Sequence, residues 1–270
     1  MPNHLQSAYI TDNNGRHKIT TLSYSYDAQI IGEKLFYVDD GLLSGYEFFE
    51  YDLKTKKTRK IATLNAKWIY NYYFLHDALY IEIGDDDSLI KDIVAMNLKT
   101  GEQITIAKNI SACGIANNQL NYITEKDSNC SIYEYDIDNN KSLLLGEFEL
   151  SYNIFQDALV GVNFNPEYVA FADDKIYVYR YGDGTLSSYD FDGKINEFIS
   201  YDKFAFFSAN GNIYRFNFDD NSIETIAKSS TEDSYLFVGS DDEVYISFME
   251  LGGIRRYYVN GEYEDVILNR

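Results

Sequence analysis

Cysteine, proline and histidine are scarce in this sequence, and each scarcity excludes a class of structure or site. The 270 residues include two cysteines, two prolines and three histidines. Cys113 and Cys130 are too few for a disulfide framework and lack the Cys-x-x-Cys spacing of zinc ribbons, so we expect two free thiols. His4, His17 and His76 are too far apart for a His-x-His or His-Glu-x-x-His pair, so we expect no histidine-based metal site.

Long apolar runs and basic residues are also missing. The sequence has no run of about eighteen apolar residues, so we expect no membrane-inserted segment. Lys and Arg total 23 against 43 Asp and Glu, which gives a formal net charge of -20. This charge repels phosphate backbones, so we expect no nucleic-acid partner. It favours solubility and also suits a basic protein partner or divalent cations.

A secretory signal is not recognisable at the start of the chain. The first fifteen residues, MPNHLQSAYITDNNG, lack a charged start followed by an apolar stretch. The pattern predicts a cytoplasmic protein if Met1 is the native start, and a secreted or periplasmic protein if a signal peptide has been removed. Both compartments stay open at this point, as does the oligomeric state.

Aromatic residues are abundant, with 26 tyrosines and 17 phenylalanines. Aromatic side chains favour strands, where cross-strand neighbours cover their rings. Segments such as KIYVYRY from Lys175 and NIYRFNF from Asn212 alternate apolar and polar positions with period two. No segment shows the spacing of an amphipathic helix. The sequence therefore predicts an all-β protein.

A hairpin of two short apolar strands around a polar turn recurs along the chain, and we name it the inner hairpin. Its seven instances are IIGEKLFYV from Ile30, FLHDALYI from Phe74, GIANNQLNYI from Gly114, IFQDALVGV from Ile154, VAFADDKIYV from Val169, FFSANGNIYRF from Phe206, and FVGSDDEVYISF from Phe237. An outer hairpin usually follows, as in EYDLKTKKTRKIA from Glu50, AMNLKTGEQITIA from Ala95, EYDIDNNKSLLLG from Glu134, SYDFDGKINEFI from Ser188, and YYVNGEYEDVI from Tyr257.

Two hairpins make a four-stranded unit of about forty residues that cannot cover both of its apolar faces alone. Radial stacking solves this problem, so we predict one β-propeller domain over residues 1–270, with seven blades rather than six. Clear units span 28–64, 68–107, 111–148 and 235–268, with about nine strands between Ser151 and Lys228. Residues 7–22 predict a further outer hairpin, which C-terminal strands would complete.

The repeat resembles two groups of propellers, the YWTD-type repeats and bacterial propellers of unknown function. The resemblance spans nearly the whole chain and rests on KLFYVDD from Lys34, IYEYDIDNN from Ile132, LSSYDFDGK from Leu186, NIYRFNFDD from Asn212, and GIRRYYVNGE from Gly253. No unit contains the full Tyr-Trp-Thr-Asp tetrad. The resemblance implies a radial scaffold used for binding, and it transfers no catalytic residue.

Carboxylates form the first group of candidate site residues. Asp85, Asp86 and Asp87 are consecutive and fall in a predicted loop, where hard oxygen ligands could hold Ca²⁺. Consecutive loop positions rarely converge on one ion, and a solvated acidic loop is the commoner interpretation. No other cofactor is expected, since the sequence lacks nucleophile elbows and Gly-rich phosphate loops.

Aromatic residues form the second group. Trp68, Tyr70, Tyr72 and Tyr73 lie together in WIYNYYF, at the start of a predicted strand. Tyrosine and tryptophan combine an apolar face with a polar group, which suits protein interfaces and sugar stacking. Packing between blades is the leading interpretation of this cluster, because the first strand of a blade is normally buried on both sides.

Three functions are compatible with these residues. The sequence favours a non-enzymatic scaffold that binds a protein with a net basic surface through loops on one face of the propeller. One alternative is an enzyme acting on a carbohydrate or other small molecule with carboxylates at the mouth of the central channel. The other alternative is a lectin-like glycan binder without turnover.

Overall fold

All elements in the part of the chain that the structure describes are β-strands. The computed structural model describes residues 6–12, 15–22, 29–40, 45–66, 68–85, 91–126, 129–149, 161–172, 175–201, 203–228, 234–240, 243–248, 253–258 and 262–266. Within these ranges no helix is long and apolar enough to cross a membrane. The predicted all-β class is confirmed.

The first compact unit, Met1–Ile110, begins with a two-stranded sheet and continues with larger antiparallel sheets. Its strands are β1 (Gln6–Asp12), β2 (Gly15–Leu22), β3 (Gln29–Ile31), β4 (Lys34–Asp40), β5 (Tyr46–Asp52), β6 (Lys57–Leu64), β7 (Trp68–Leu75), β8 (Ala78–Gly84), β9 (Lys91–Asn97) and the first part of β10 (Gln103–Ala116). Strands β1 and β2 pair only with each other in the described part, β3–β6 form a sheet of four, and β7–β10 pair in sequence.

The second unit, Ser111–Arg270, continues with the last part of β10 and repeats the four-stranded pattern. Its further strands are β11 (Gln119–Lys126), β12 (Asn129–Asp136), β13 (Lys141–Glu149), β14 (Gly161–Phe164), β15 (Tyr168–Ala172), β16 (Lys175–Arg180), β17 (Thr185–Asp190), β18 (Ile195–Tyr201), β19 (Phe204–Ala209), β20 (Asn212–Asn217), β21 (Ile223–Lys228), β22 (Ser234–Ser240), β23 (Glu243–Phe248), β24 (Gly253–Tyr258) and β25 (Tyr263–Val266). Strands β14–β17, β18–β21 and β22–β25 form three separate sheets of four.

The middle of the chain differs from the predicted pairing. SYDFDGKINEFI from Ser188 was expected to be an outer hairpin, yet β17 and β18 belong to different sheets. The hairpins from Val169 and Phe206 join second and third strands, because each follows an additional first strand, β14 or β18. Most of the hairpin from Ile154 lies outside the described residues. Eight strands are described between Gly161 and Lys228, and they form two regular sheets.

One five-residue turn recurs in four hairpins, β5–β6, β9–β10, β12–β13 and β20–β21. The side-chain oxygen of an opening Asp or Asn accepts a hydrogen bond from a backbone N–H two or three residues later. The closing residue has a positive φ, which Gly and Asn tolerate best. The opening and closing residues are Asp52 with Lys56, Asn97 with Gly101, Asp136 with Asn140, and Asn217 with Asn221.

A β-bulge recurs in the fourth strands, where an aliphatic residue without a cross-strand partner precedes a small one. The pairs are Ile61 with Ala62, Ile106 with Ala107, Leu145 with Gly146, and Ile226 with Ala227. The same irregularity falls at Ile19 in β2. Bulges increase local twist and disrupt the ladder. The predicted outer hairpin of residues 7–22 corresponds to β1–β2, and its completion by C-terminal strands stays a prediction. Strands β22–β25 form a sheet of four.

The hydrophobic cores lie between consecutive sheets. In the first unit, Phe36 and Phe48 of one sheet pack in the same cluster as Leu79 and Met96 of the next. In the second unit, one cluster joins the β14–β17 and β18–β21 sheets. The first strands β14, β18 and β22 contact one another in order. This convergence of first strands is the arrangement expected of propeller blades.

Candidate functional site

The aromatic segment predicted as a candidate forms β7, which is an edge strand of its sheet. Ile69 pairs with Ile83 and Asn71 pairs with Glu82, so Tyr70 is an extra residue in a β-bulge. A bulge turns the side chain of the extra residue away from regular alternation. This local irregularity directs Tyr70 towards the end of the sheet.

A buried carboxylate anchors the residues beside the bulge. Glu82 on β8 is 2% exposed. Its Oε1 lies 2.6 Å from Lys91 Nζ on β9, and its Oε2 accepts a 2.9 Å hydrogen bond from Asn71 Nδ2. A buried charge is tolerated only when it is paired and hydrogen-bonded, and both oxygens of Glu82 have such partners. The three side chains therefore hold one another in fixed positions.

The ring and the hydroxyl group of Tyr70 each make a contact at this network. Lys91 Nζ lies 4.6 Å from the centroid of the Tyr70 ring, within the range of a cation–π contact. The Tyr70 hydroxyl donates a 2.6 Å hydrogen bond to the backbone carbonyl of Asp85. Tyr70 thus connects β7 to the residue at which the Asp85–Asp87 segment begins.

Trp68 completes the cluster, and it is 40% exposed, while Tyr70 is 37% exposed. Trp68 pairs across the strands with Gly84, which precedes Asp85. Asn71 and Asp85 are also exposed. We name the set the Trp68 edge, comprising Trp68, Tyr70, Asn71, Glu82, Asp85 and Lys91. It brings together residues from the two groups that the sequence predicted separately.

The other predicted candidates lie elsewhere. Tyr72 is half-buried and packs edge-on against Phe74 at a centroid distance of 5.7 Å. Tyr73 is half-buried and pairs with Tyr80 across the sheet. For these two tyrosines, the choice between packing and interaction stays a prediction. Asp86 and Asp87 lie outside the described residues, and a Ca²⁺ site there stays a prediction.

Glu82 and Lys91 were missed by the sequence analysis. Glu82 lies in ALYIEIG, within a strand whose central positions are otherwise apolar and buried. A charged residue at such a position must be paired, so this isolated glutamate was the available signal. Its partners could not be named from the sequence, because Asn71 and Lys91 become neighbours only through strand pairing.

Outside the Trp68 edge, burial raises the pKa of a thiol and of a carboxyl. Cys130 is buried, and burial, followed by the charge of Glu125, raises the pKa of its thiol to about 12, which keeps it protonated. Strands β14 and β18 carry one carboxylate between them, Glu197, whose pKa is raised by burial. Across the described ranges, no three His, Cys, Asp or Glu residues group closely enough to hold a metal ion.

No family model matches the chain. No curated protein matches it either. Solved structures do: the propeller domain of the Trilobed protease from Pyrococcus furiosus aligns with a TM-score of 0.63 and 15% identity, covering 97% of this chain and 86% of that one. Hsv2p from Kluyveromyces lactis aligns with a TM-score of 0.63 and 13% identity, covering 94% and 86%. The fold is a β-propeller.

A third propeller neighbour is known with a partner. The N-terminal domain of Nup159 aligns with a TM-score of 0.55 and 13% identity, covering 89% of this chain and 75% of that chain. A structure from S. cerevisiae with the same similarity contains Dbp5 bound to Nup159. At these identities the likeness shows the fold alone. The more specific resemblance to YWTD-type and bacterial propellers, the single domain and the seven blades stay predictions.

Proposed function

We propose that the chain is a non-enzymatic binding scaffold that recognises a net basic protein through a surface containing the Trp68 edge. The exposure of Trp68 and Tyr70 on the strand beside the buried Glu82 and its partner Lys91 is the observation that carries this proposal. Exposed tryptophan and tyrosine residues contribute strongly to protein interfaces when their positions are fixed before binding. The contacts of Tyr70 with Lys91 and with the Asp85 carbonyl fix the position of the Tyr70 ring.

Charge supports a basic partner. The chain has a formal net charge of -20, and Asp85 adds an exposed carboxylate at the Trp68 edge. Complementary charge accelerates encounter and makes binding sensitive to salt. The fold is compatible with the proposal, since Nup159 is a propeller neighbour to which Dbp5 is bound.

A comparison of retained proteins tests the proposal. The immobilised full chain is incubated with a cell extract at low salt, next to a Trp68→Ala variant. We expect the wild-type chain to retain a discrete set of basic proteins and a salt step to release them. Because a central tryptophan often supplies a large share of interface energy, Trp68→Ala should reduce their affinity by about tenfold or more.

Leu143→Ala is the matched control. Leu143 is 56% exposed on β13, so the variant also removes an exposed apolar side chain, but far from the Trp68 edge in the sequence. It should retain the same proteins as the wild-type chain. Equal retention by Trp68→Ala, or retention that salt leaves unchanged, would contradict the proposal.

A further inference from the structure

The hairpin of β5 and β6 concentrates positive charge in a chain whose formal net charge is -20. The segment from Leu53 to Lys60, LKTKKTRK, contains five Lys or Arg residues and no Asp or Glu. All five basic residues are exposed. The many carboxylates of the chain already provide solubility, so solubility gives no reason for a cluster of the opposite charge.

Only some of these cations are neutralised within the protein. Arg59 Nη2 lies 2.9 Å from Glu50 Oε2, and Lys60 Nζ lies 2.5 Å from Glu47 Oε1. Three exposed lysines have no ion pair in the part of the chain that the structure describes. We name these three residues the lysine turn: Lys54, Lys56 and Lys57.

Lys56 occupies a backbone position that disfavours lysine. It closes the turn with a φ of 57°, in the left-handed region that most side chains adopt only at an energetic cost. The closing residues of the three equivalent turns are Gly101, Asn140 and Asn221, which tolerate this conformation. The turn itself therefore gives no reason for a lysine, and backbone strain of this kind is concentrated at functional sites.

The equivalent turns also differ in charge. Two positions after the opening residue, the first unit has Lys54 and Lys99, whereas the second unit has Asp138 and Asp219. Lys99 is paired with Asp77, so its charge is neutralised locally, unlike that of Lys54. Because the same turn accepts either sign of charge, the positive charge of the lysine turn is not a requirement of the fold.

The backbone N–H groups of this turn are not available to a compact anion such as phosphate. The Lys54 and Thr55 N–H groups both donate to Asp52 Oδ1, and the Lys56 N–H donates to the Asp52 carbonyl. Phosphate sites commonly use such N–H groups or an arginine, and Arg59 is already paired. Ammonium groups on long flexible stems instead suit the separate carboxylates of an extended chain.

We propose that the lysine turn binds a short acidic segment of a partner protein, whose Asp or Glu carboxylates pair with the three ammonium groups. Long polyanions are disfavoured, because the net charge of -20 repels nucleic acids and anionic membranes. A short segment is attracted locally, since salt screens exposed charges beyond roughly 10 Å. This surface is distinct from the Trp68 edge, and the proposal does not depend on the scaffold proposal.

Calorimetric titration of the full chain at low salt tests the surface. The probes are a capped octapeptide of alternating glycine and glutamate, its glutamine counterpart, and inorganic phosphate. We expect saturable binding of the glutamate peptide, which added salt weakens, and none of the other two probes. Binding of phosphate alone, equal binding of the two peptides, or binding of no probe would overturn the proposal.

Two double variants separate local recognition from general attraction between opposite charges. Lys54→Gln with Lys57→Gln should weaken binding of the glutamate peptide by about fivefold or more. Lys108→Gln with Lys141→Gln removes the same charge from exposed positions outside the lysine turn and should change the affinity little. Equal loss of affinity in the two double variants would contradict a site at the lysine turn.

Lys56→Asn distinguishes a binding role from a structural one. Asparagine closes two of the equivalent turns, at Asn140 and Asn221, so this variant should raise the urea midpoint. It should also weaken binding of the glutamate peptide by about threefold, because it removes one ammonium group. A lower urea midpoint together with unchanged affinity would show that Lys56 serves the fold, and the proposal would fail.

Discussion

At the scale of single residues, a buried hydroxyl in the second unit has no described hydrogen-bond partner. The Tyr181 hydroxyl is buried, and burial, followed by the charge of Glu134, raises its pKa. Tyr181 occupies the second position of a turn, where its backbone N–H donates to the Glu167 carbonyl. In the next sheet the equivalent residue is Phe218, whose N–H donates to the Lys203 carbonyl. The hydroxyl is therefore not required by the turn.

Tyr181→Phe should stabilise the protein by about 1 kcal/mol, because it removes a buried polar atom that has lost its hydration. Tyr122→Phe is the opposing control. The Tyr122 hydroxyl donates a 2.6 Å hydrogen bond to Ser142 Oγ, so its removal should cost about 1 kcal/mol. Urea unfolding measures both changes. A loss of stability in Tyr181→Phe would show that the hydroxyl has a favourable partner.

At the scale of elements, glycine allows the first strands of adjacent sheets to approach closely. A Cβ atom placed on Gly161 of β14 would lie 2.4 Å from the backbone carbonyl oxygen of Phe198 on β18. A backbone atom cannot rotate away as a side chain can, so the two strands would have to separate. The convergence of first strands in the second unit thus depends on a residue without a side chain.

Gly161→Ala should destabilise the protein by about 3 kcal/mol, because the added methyl group overpacks a strand contact. Gly182→Ala is the matched control, since its Cβ would meet no atom within 4 Å. That variant should be neutral or slightly stabilising, because it restricts the unfolded chain. Similar urea midpoints for the two variants would contradict this close approach of β14 and β18.

At the scale of the whole molecule, two groups of carboxyls have pKa values shifted in opposite directions. Hydrogen bonds from residues within their turns lower the pKa of four aspartates, Asp52, Asp136, Asp183 and Asp220. Burial raises the pKa of Glu125 and Glu197. The four aspartates with lowered pKa values stabilise the fold at pH values above the ordinary pKa of aspartate. This contribution is lost as the pH falls through their pKa values in the folded protein. The two glutamates with raised pKa values destabilise the fold when they are ionised, so their protonation increases stability.

Stability should therefore rise as pH falls from neutral to about 5, and it should fall again below about 4. Protonation also weakens the repulsion among the carboxylates that give the net charge of -20, which adds to the rise in stability. The double variant Glu125→Gln, Glu197→Gln should show a smaller rise than Glu149→Gln, which changes an exposed glutamate on β13. Urea midpoints across pH provide the measurement. An equal rise in both variants would exclude the buried glutamates as its source.

The sequence by itself determined the strands and most of their pairing. Alternating apolar residues predict strands because the pattern depends only on nearby positions. The turn is also set locally, since Asn97 accepts a hydrogen bond from the Lys99 N–H and Gly101 adopts a positive φ. Local signals were insufficient in the middle of the chain, where β17 and β18 are consecutive yet lie in different sheets. The residues that connect two consecutive strands do not determine whether those strands pair, because pairing also depends on strands distant in the sequence.

Only the tertiary structure decided the composition of the candidate site. The sequence indicated Trp68, Tyr70 and Asp85 as separate candidates, and it gave no reason to place them together. The bulge at Tyr70 and the pairing of β7, β8 and β9 bring them beside Glu82 and Lys91. Alternation predicts which residues face one side of a strand, whereas contacts between side chains depend on register, bulges and burial.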